Sequence, residues 1–537
     1  MSAIQAFADS SSVERRLKPA KSLLGSLFAP LDFLLAEGGD ARLTVDAETR
    51  LNGYGCRPFP RPEAFTFASS TATSISDRAY AAADAARHAL VAAVIDRDGA
   101  FDERIESLRA RLLSFLGLAA SGTEIVFSPS GTDAQLQALF LTETLLDGPL
   151  TSIVVAADET GSGTKFALTG KHFSTLTALG HDVVKGETLA GMDGRFARVD
   201  VAVCSEDGRP RTLEEIDAAV IAAVESAVGA GRKVLLQTMD RSKLWRRLPS
   251  QACLVEIETR FAQDVQVVVD ACQMRLSPER IRTYLARGEM VLLTGSKFFT
   301  GPPFSGALLV PASLSARLEG DMLLPPGIGD YFNAGDWPVR FLSIRAQSPE
   351  GFNAGAWLRW EAALAEMEAY AAVPQSYRES AIRQFIATAS RLIGEGGLEL
   401  LPEDPRDASD TIDDGEFATR TILPFILRRN GEAISHETAA KMYHALNRDV
   451  SELLPASATG LEKLVAAQIC HIGQPVAILT GKGEETAVLR ISAGARILSD
   501  SWNADAKIAR RNLDCECEQV RLIVEKIALL LRHQIGI

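Results

Sequence analysis

From about residue 75 the chain alternates between two hydrophobic textures. Ala79–Ile95 is Ala-rich with helical spacing, and Arg104–Leu116 sets Leu108, Leu112 and Phe115 on one face, so both are predicted helices. Short apolar runs bounded by turn formers come next, at Glu124–Phe127, Ser152–Ala156, Lys233–Gln237, Val265–Val269, Met290–Leu293 and Ala307–Val310, and these are predicted strands. Helical patterns lie between several of them, including Ala134–Leu146 and Leu213–Val228. Alternating strand and helix predicts an α/β fold, with a mainly parallel sheet covered by helices on both faces. Ligands of such sheets sit at the carboxyl ends of the strands.

The texture changes after about residue 340. Helices are predicted at Ala356–Ala372 and Ser380–Ile393, strands at Thr421–Leu427, Val476–Leu479 and Ala487–Ile491, and a closing helix at Cys517–His533. The acidic, turn-rich stretch 401–416 is expected to be a surface loop. The expected organisation is an N-terminal extension and site-mouth segment (1–74), a large domain (75–340) and a smaller α+β C-terminal domain (341–537).

Composition narrows the classes. The 537 residues are 47% hydrophobic and 23% charged, which excludes a mainly disordered chain. The net charge of −13 argues against a general nucleic-acid binder, which needs a basic face for phosphates. Seven scattered cysteines do not form a disulfide framework, and no run of about 18 apolar residues predicts a membrane span. A protein of the cytoplasm, without nucleic-acid or membrane partners, is the expectation. The His residues and the pair Cys515/Cys517 have no metal-ligand spacing, so no metal is expected. Gly161-Ser-Gly163-Thr-Lys165 lacks the spacing of either Gly-rich nucleotide loop.

Three segments carry candidate chemistry. In EIVFSPSGTDAQLQALFL (124–141) a strand runs through a Ser/Gly/Thr loop into a helix. Ser130, Gly131 and Thr132 there suit a phosphate site, and the alternative is an ordinary N-cap at Thr132 or Asp133. In VQVVVDACQ (265–273) Asp270 ends a buried strand, where a carboxylate is costly unless it meets a cation or strong donors, or caps the next helix. In MVLLTGSKFFTGPPFSGALLVP (290–311) another buried strand delivers Thr294, Ser296 and Lys297 among apolar neighbours, a setting that can make a lysine a nucleophilic amine. The stronger signal is their order: helix start, strand-end Asp, and strand-end Lys 27 residues later.

With that order, DACQ and TGSKFFTGPPFSG resemble the Asp-Ala-x-Gln and the Ser-x-His-Lys, Gly-Pro, Gly-x-Gly motifs of fold-type I pyridoxal-phosphate enzymes, in their class V aminotransferase and cysteine desulfurase branch. The resemblance covers about residues 60–500. It implies an aspartate aminotransferase-like fold with a seven-stranded-type sheet, pyridoxal 5'-phosphate as cofactor, and a homodimer. By the same resemblance Lys297 is the Schiff-base lysine and Asp270 pairs with the pyridinium nitrogen. Gln273 bonds the phenolic oxygen, Gly131, Thr132 and Ser296 hold the phosphate, and Thr294 assists by its spacing. Ser296 stands where the family has His.

The implied reaction takes an amino acid through an external aldimine and Cα proton abstraction, in the manner of an aminotransferase. A β- or γ-lyase, a Cα–C bond-forming enzyme, and a non-catalytic binding or regulatory protein of the same fold are the alternatives. AVLRISAGARILSD (487–500) resembles the family strand ending in Arg-x-Ser, which makes Arg490 the α-carboxylate clamp and Arg496 its reserve. CHIGQPVAIL (470–479) resembles the desulfurase His-Cys-Ala-x-Pro segment, but Ile472 stands at the cysteine position and Cys470 two residues early, so that chemistry is disfavoured. No ring-stacking residue is visible in 154–168, where Glu159 and Thr160 are instead expected to touch cofactor or substrate. Arg57 and Arg61, in 54–76, are candidates for a second acidic group, or parts of a wrap packed by Phe59, Phe65 and Phe67. Ser242-Lys243 also comes after a strand but precedes Asp270, which fails the order for the Schiff-base lysine; Asp240 is expected to support the cofactor from behind.

Overall fold

The computed structural model describes residues 28–96, 100–205, 207–404, 407–479 and 485–535. Its main layer is an eight-stranded sheet. Seven of the strands lie in the order Glu124–Ser128, Gly306–Val310, Met290–Thr294, Val265–Asp270, Lys233–Asp240, Leu150–Val155, Phe196–Val201, and the two-residue strand Arg247–Leu248 pairs with Lys233–Asp240. The five strands from Met290–Thr294 to Phe196–Val201 are mutually parallel, and Gly306–Val310 runs antiparallel to both its neighbours. The α/β architecture expected from the alternation is therefore present, with helices such as Gly131–Leu146 and Leu213–Gly229 packed against the sheet. Strands Leu150–Val155 and Met290–Thr294 are buried at every position, as a doubly covered sheet requires. Phe196–Val201 was not legible as a strand. It lies at the sheet edge with its middle exposed, so it lacks an apolar run.

Helix ends obey local chemistry. Ser130 caps Gly131–Leu146, accepting from the Thr132 and Asp133 amides, and Thr212 with Glu215 forms a capping box on Leu213–Gly229. The closing helix spans Ala506–His533, eleven residues more than expected at its start, because Asp505 caps a first stretch whose polar residues hide the apolar spacing. The helix Ala354–Ala371 lies against Asp77–Asp96. From it Trp360 donates to the Gly306 carbonyl at 3.0 Å, and the fully buried Arg359 donates to the carbonyls of Leu35, Glu37, Gly38 and Phe304.

A second sheet of five strands has the order Ala64–Phe67, Ile469–Leu479, Glu485–Ser492, Ile422–Ile426, Glu399–Leu400. Its first strand comes from the N-terminal region and pairs in parallel with Ile469–Ile472, so 54–76 is more than a surface wrap. The stretch 401–416 is also more than a loop over solvent. Asp410 and Asp414 turn inward to Arg247 and Arg280, and Asp407 accepts from the Gln251 amide at 2.8 Å. Among the described residues no helix is long and apolar enough to cross a membrane.

Candidate active site

The carboxyl ends of the parallel strands open into a cavity of about 530 Å³. Ser130, Gly131, Thr132, Asp270, Thr294, Ser296, Lys297, Arg490 and Thr160 all line it, so residues spread over 360 positions converge on one volume. Each arrives for a local reason. Asp270 is the last residue of Val265–Asp270, Thr294 the last of Met290–Thr294, and Lys297 stands three residues further on. Gly131 opens its helix against Cys272, where a Cβ would come within 2.8 Å of the sulfur. The Gly306 Cβ would meet the Ser130 backbone at 2.6 Å, so that glycine permits the loop to pack on the neighbouring strand.

The Asp270 carboxylate is buried and held by neutral donors. Its Oδ2 accepts from the side-chain amides of Gln135 at 3.4 Å and Gln237 at 3.3 Å, and its Oδ1 accepts from the Cys272 amide at 3.1 Å. Among the described residues no cation lies within ion-pair distance of it. Both glutamines escaped sequence reasoning. Gln237 did leave a signal, an amide directly after the apolar run Val234–Leu236 and still within a buried strand.

At the helix start the Ser130 hydroxyl donates to Asp133 at 2.5 Å. Arg42, from the N-terminal region, reaches the same hydroxyl at 3.2 Å and Thr132 Oγ1 at 3.4 Å, while Asp40 pairs with it at 2.5 Å. Burial and the Asp40 charge push the Asp133 carboxyl up to about 7. Nothing in the pattern around Arg42 pointed to this position.

Arg490 lies on Glu485–Ser492, 1% exposed, with Nε donating to Ser70 Oγ at 3.1 Å and Nη2 to Thr71 Oγ1 at 2.8 Å. Its Nη1 is buried without a partner, and burial lowers the guanidinium to about 10. Gly473 leaves room beside it, since a Cβ there would stand 2.8 Å from Nε. Lys243 also lines the cavity, with Nζ donating to the Thr160 carbonyl at 2.8 Å. Burial and the charges of Arg490 and Lys297 lower its ammonium to about 7.

Several residues expected here are turned elsewhere. Gln273 is buried, its amide donating to the Ser70 carbonyl at 3.1 Å and accepting from Arg275 at 2.8 Å, so it braces the cavity wall instead of facing inward. Glu159 also points away, paired with Arg246 at 3.0 Å and accepting from the Ser242 hydroxyl, because Arg246 attracts it out of the lining. Arg57 is drawn to Glu63 at 2.8 Å, and Arg61 to Asn447 at 2.7 Å. Arg496 donates to the carbonyls of Ser74 and Thr300 and pairs with Glu366 at 3.2 Å. Asp240 accepts from Tyr284 at 2.6 Å and pairs with Arg247. Among the described residues no group of three or more His, Cys, Asp or Glu could hold a metal ion.

The donor set is asymmetric. Among the described residues the buried Asp270 lacks a cation within ion-pair distance, as does the exposed Asp158, while Lys243, Lys297 and Arg490 lack any carboxylate within that distance. A ligand with a protonated ring nitrogen, a carbonyl and anionic groups would match it.

No family model and no curated protein match this chain. Solved structures that resemble it include the cysteine desulfurase CsdA from Escherichia coli, at 12% identity over 86% of this chain and 95% of that one, with a TM-score of 0.46. Another is mouse CSAD in apo form, at 15% identity over 85% and 83%, with a TM-score of 0.45. A third is serine palmitoyltransferase of Sphingomonas wittichii, at 12% identity over 78% and 77%, with a TM-score of 0.40.

Proposed function

We propose that the cavity binds pyridoxal phosphate and that the chain is a pyridoxal-phosphate-dependent enzyme acting at the Cα of an amino acid, with an aminotransferase-like first step. The observation that carries this reading is a buried, cation-free Asp270 in the same cavity as Lys297 and the Ser130–Thr132 helix start. When bound, the cofactor supplies a carbonyl carbon for amines and an electron-withdrawing ring.

The chain's own residues do the rest. Asp270, oriented by Gln135, Gln237 and the Cys272 amide, keeps a proton on the ring nitrogen. Ser130, Gly131, Thr132 and Ser296 hold the phosphate, with Arg42 adding charge behind the hydroxyls. Arg490 orients the substrate α-carboxylate through its fork, for which the unpartnered Nη1 is available. Lys297 moves the proton at Cα. Cys470 supports the view that desulfurase chemistry is disfavoured. It is buried on Ile469–Leu479, outside the cavity lining, and burial raises its thiol to about 11.

Purified protein incubated with pyridoxal phosphate should gain a visible absorption band, and borohydride treatment with subsequent peptide mapping should leave the pyridoxyl group on Lys297. A wild type as colourless as Lys297→Ala overturns the reading. Keto-acid formation and solvent deuterium at Cα then separate transamination from elimination and from carbon–carbon bond formation. Assembly as a homodimer belongs to the same reading and is checked by sedimentation velocity.

A further inference from the structure

The cavity holds more unpaired positive charge than the proposed chemistry uses. Arg42 is answered by Asp40 and Arg198 by Asp200, while Lys165 is exposed, with its ammonium 5.2 Å from the Phe166 ring centre. Lys297 and Arg490 have roles in the proposed reaction. Lys243 has none, yet it is the lining cation that the structure takes most trouble to aim.

It comes after Lys233–Asp240 on a tight loop in which Arg241 and Trp245 both adopt left-handed backbone, with φ of 60° and 79°. Neither residue type favours that region, so the surroundings must hold it. Ser242 does much of this. Its amide donates to the Arg246 carbonyl at 2.8 Å, and its hydroxyl accepts from the Leu244 and Arg246 amides at 3.0 Å each and donates to Glu159. Glu159 is in turn clamped by Arg246 at 3.0 Å, and the Arg241 guanidinium lies 4.3 Å from the Trp245 ring centre. Glu159 is thus a positioning residue for this loop.

The Lys243 ammonium spends one N–H on the Thr160 carbonyl, leaving two of its three donors without a protein partner in a cavity it shares with Arg490 and Lys297. A half-buried ammonium beside two other cations is unfavourable until an anion joins it.

We propose that Lys243 receives a second anionic group of the substrate, so that the amino acid taken here carries an acidic side chain besides its α-carboxylate. The inference rests on reading the cavity as an amino-acid site.

Succinate and butyrate, which have no amine to react, test it by calorimetry on protein loaded with pyridoxal phosphate. Wild type should bind succinate at least about tenfold more tightly, the effect of one hydrogen bond between charged groups. Lys243→Met should bring the two affinities within about threefold of each other by removing that bond. Lys243→Arg should retain part of the preference. Equal affinities in wild type, which needs no variant to fold, overturn the proposal, and so does a preference that survives Lys243→Met. Cofactor absorbance is read on the same samples. Coloured protein that does not discriminate overturns the Lys243 assignment alone. Colourless protein that still prefers succinate overturns the cofactor reading alone.

Discussion

Two groups of buried and half-buried cations stand near the carboxyl ends of the large sheet, and they are built in opposite ways. In the first, Arg247 pairs with Asp240, Asp410 and Asp414 at 3.1, 2.9 and 2.8 Å, and Arg280 pairs with Asp414 and Asp410 at 2.7 and 3.0 Å. In the second, Lys243 and Arg490 meet only a carbonyl and two hydroxyls. Burial alone lowers a cation's pKa. The carboxylates override it for Arg247 and Arg280, whose values rise, whereas Arg490 falls to about 10 and Lys243 to about 7. A lowered value alone does not mark a ligand site, since Arg359 falls to about 9 while donating to four backbone carbonyls; Arg490 and Lys243 differ in keeping donors without a protein partner beside the cavity. The first group fastens the acidic 401–416 stretch to the large sheet's helices; the second is the candidate binding machinery.

The contrast can be broken at several points. Arg280→Met strips a fully buried partner from two aspartates and should lower unfolding free energy by about 3–5 kcal/mol. Urea unfolding measures this, and a loss below about 1 kcal/mol would mean that the network is not structural. Arg490→Gln should weaken butyrate binding about 10- to 100-fold, since a charge-assisted bond to the carboxylate is lost. Calorimetry checks it, and an unchanged affinity removes Arg490 from the site.

Lys243→Met should behave oppositely to Arg280→Met, leaving ligand-free stability unchanged or raising it by up to about 1 kcal/mol. The smallest effect is one of pH. The folded Lys243 value of about 7 lies below the ordinary 10.5 of an unfolded lysine, with burial first and then Arg490 and Lys297 lowering it, and Asp270 and Glu159 raising it. Between those values the unfolded state binds more protons, so this residue makes the ligand-free protein more stable as pH rises from 7 towards 10. That slope should be shallower in Lys243→Met when melting temperatures are compared across the range.

The same contrast explains which residues were legible in the sequence. Asp270, Thr294 and Lys297 were readable because buried parallel strands are continuous apolar runs, and residues just past such a run stand at the ligand edge. The Ser-Gly-Thr helix start was readable from its small residues. Arg42 was not, since it lies in a stretch without regular periodicity and reaches the site through tertiary contacts. Lys243 is not legible from order along the chain, because that order tests only one role, that of the Schiff-base lysine. Gln273, Glu159 and Arg57 show the converse case, standing outside the cavity lining. Their residue types suited the site, but Arg275, Arg246 and Glu63 offered closer partners. Polar side chains choose among neighbours that only the folded chain brings together.

The strand Ala64–Phe67 and the two hydroxyl residues just beyond it carry one more consequence. Ser70 and Arg490, hydrogen-bonded beside the cavity, are 420 residues apart in sequence. At ribosomal speeds of about 5–20 residues per second, roughly 20–80 s separate the synthesis of the two halves. Until then the early strand has no Ile469–Leu479 beside it, and its edge is open to any other extended segment. The Arg490 side of the cavity is therefore among the last parts of the molecule to exist, and a nascent chain halted before it has the Ser130–Thr132 helix start but neither Arg490 nor its strand.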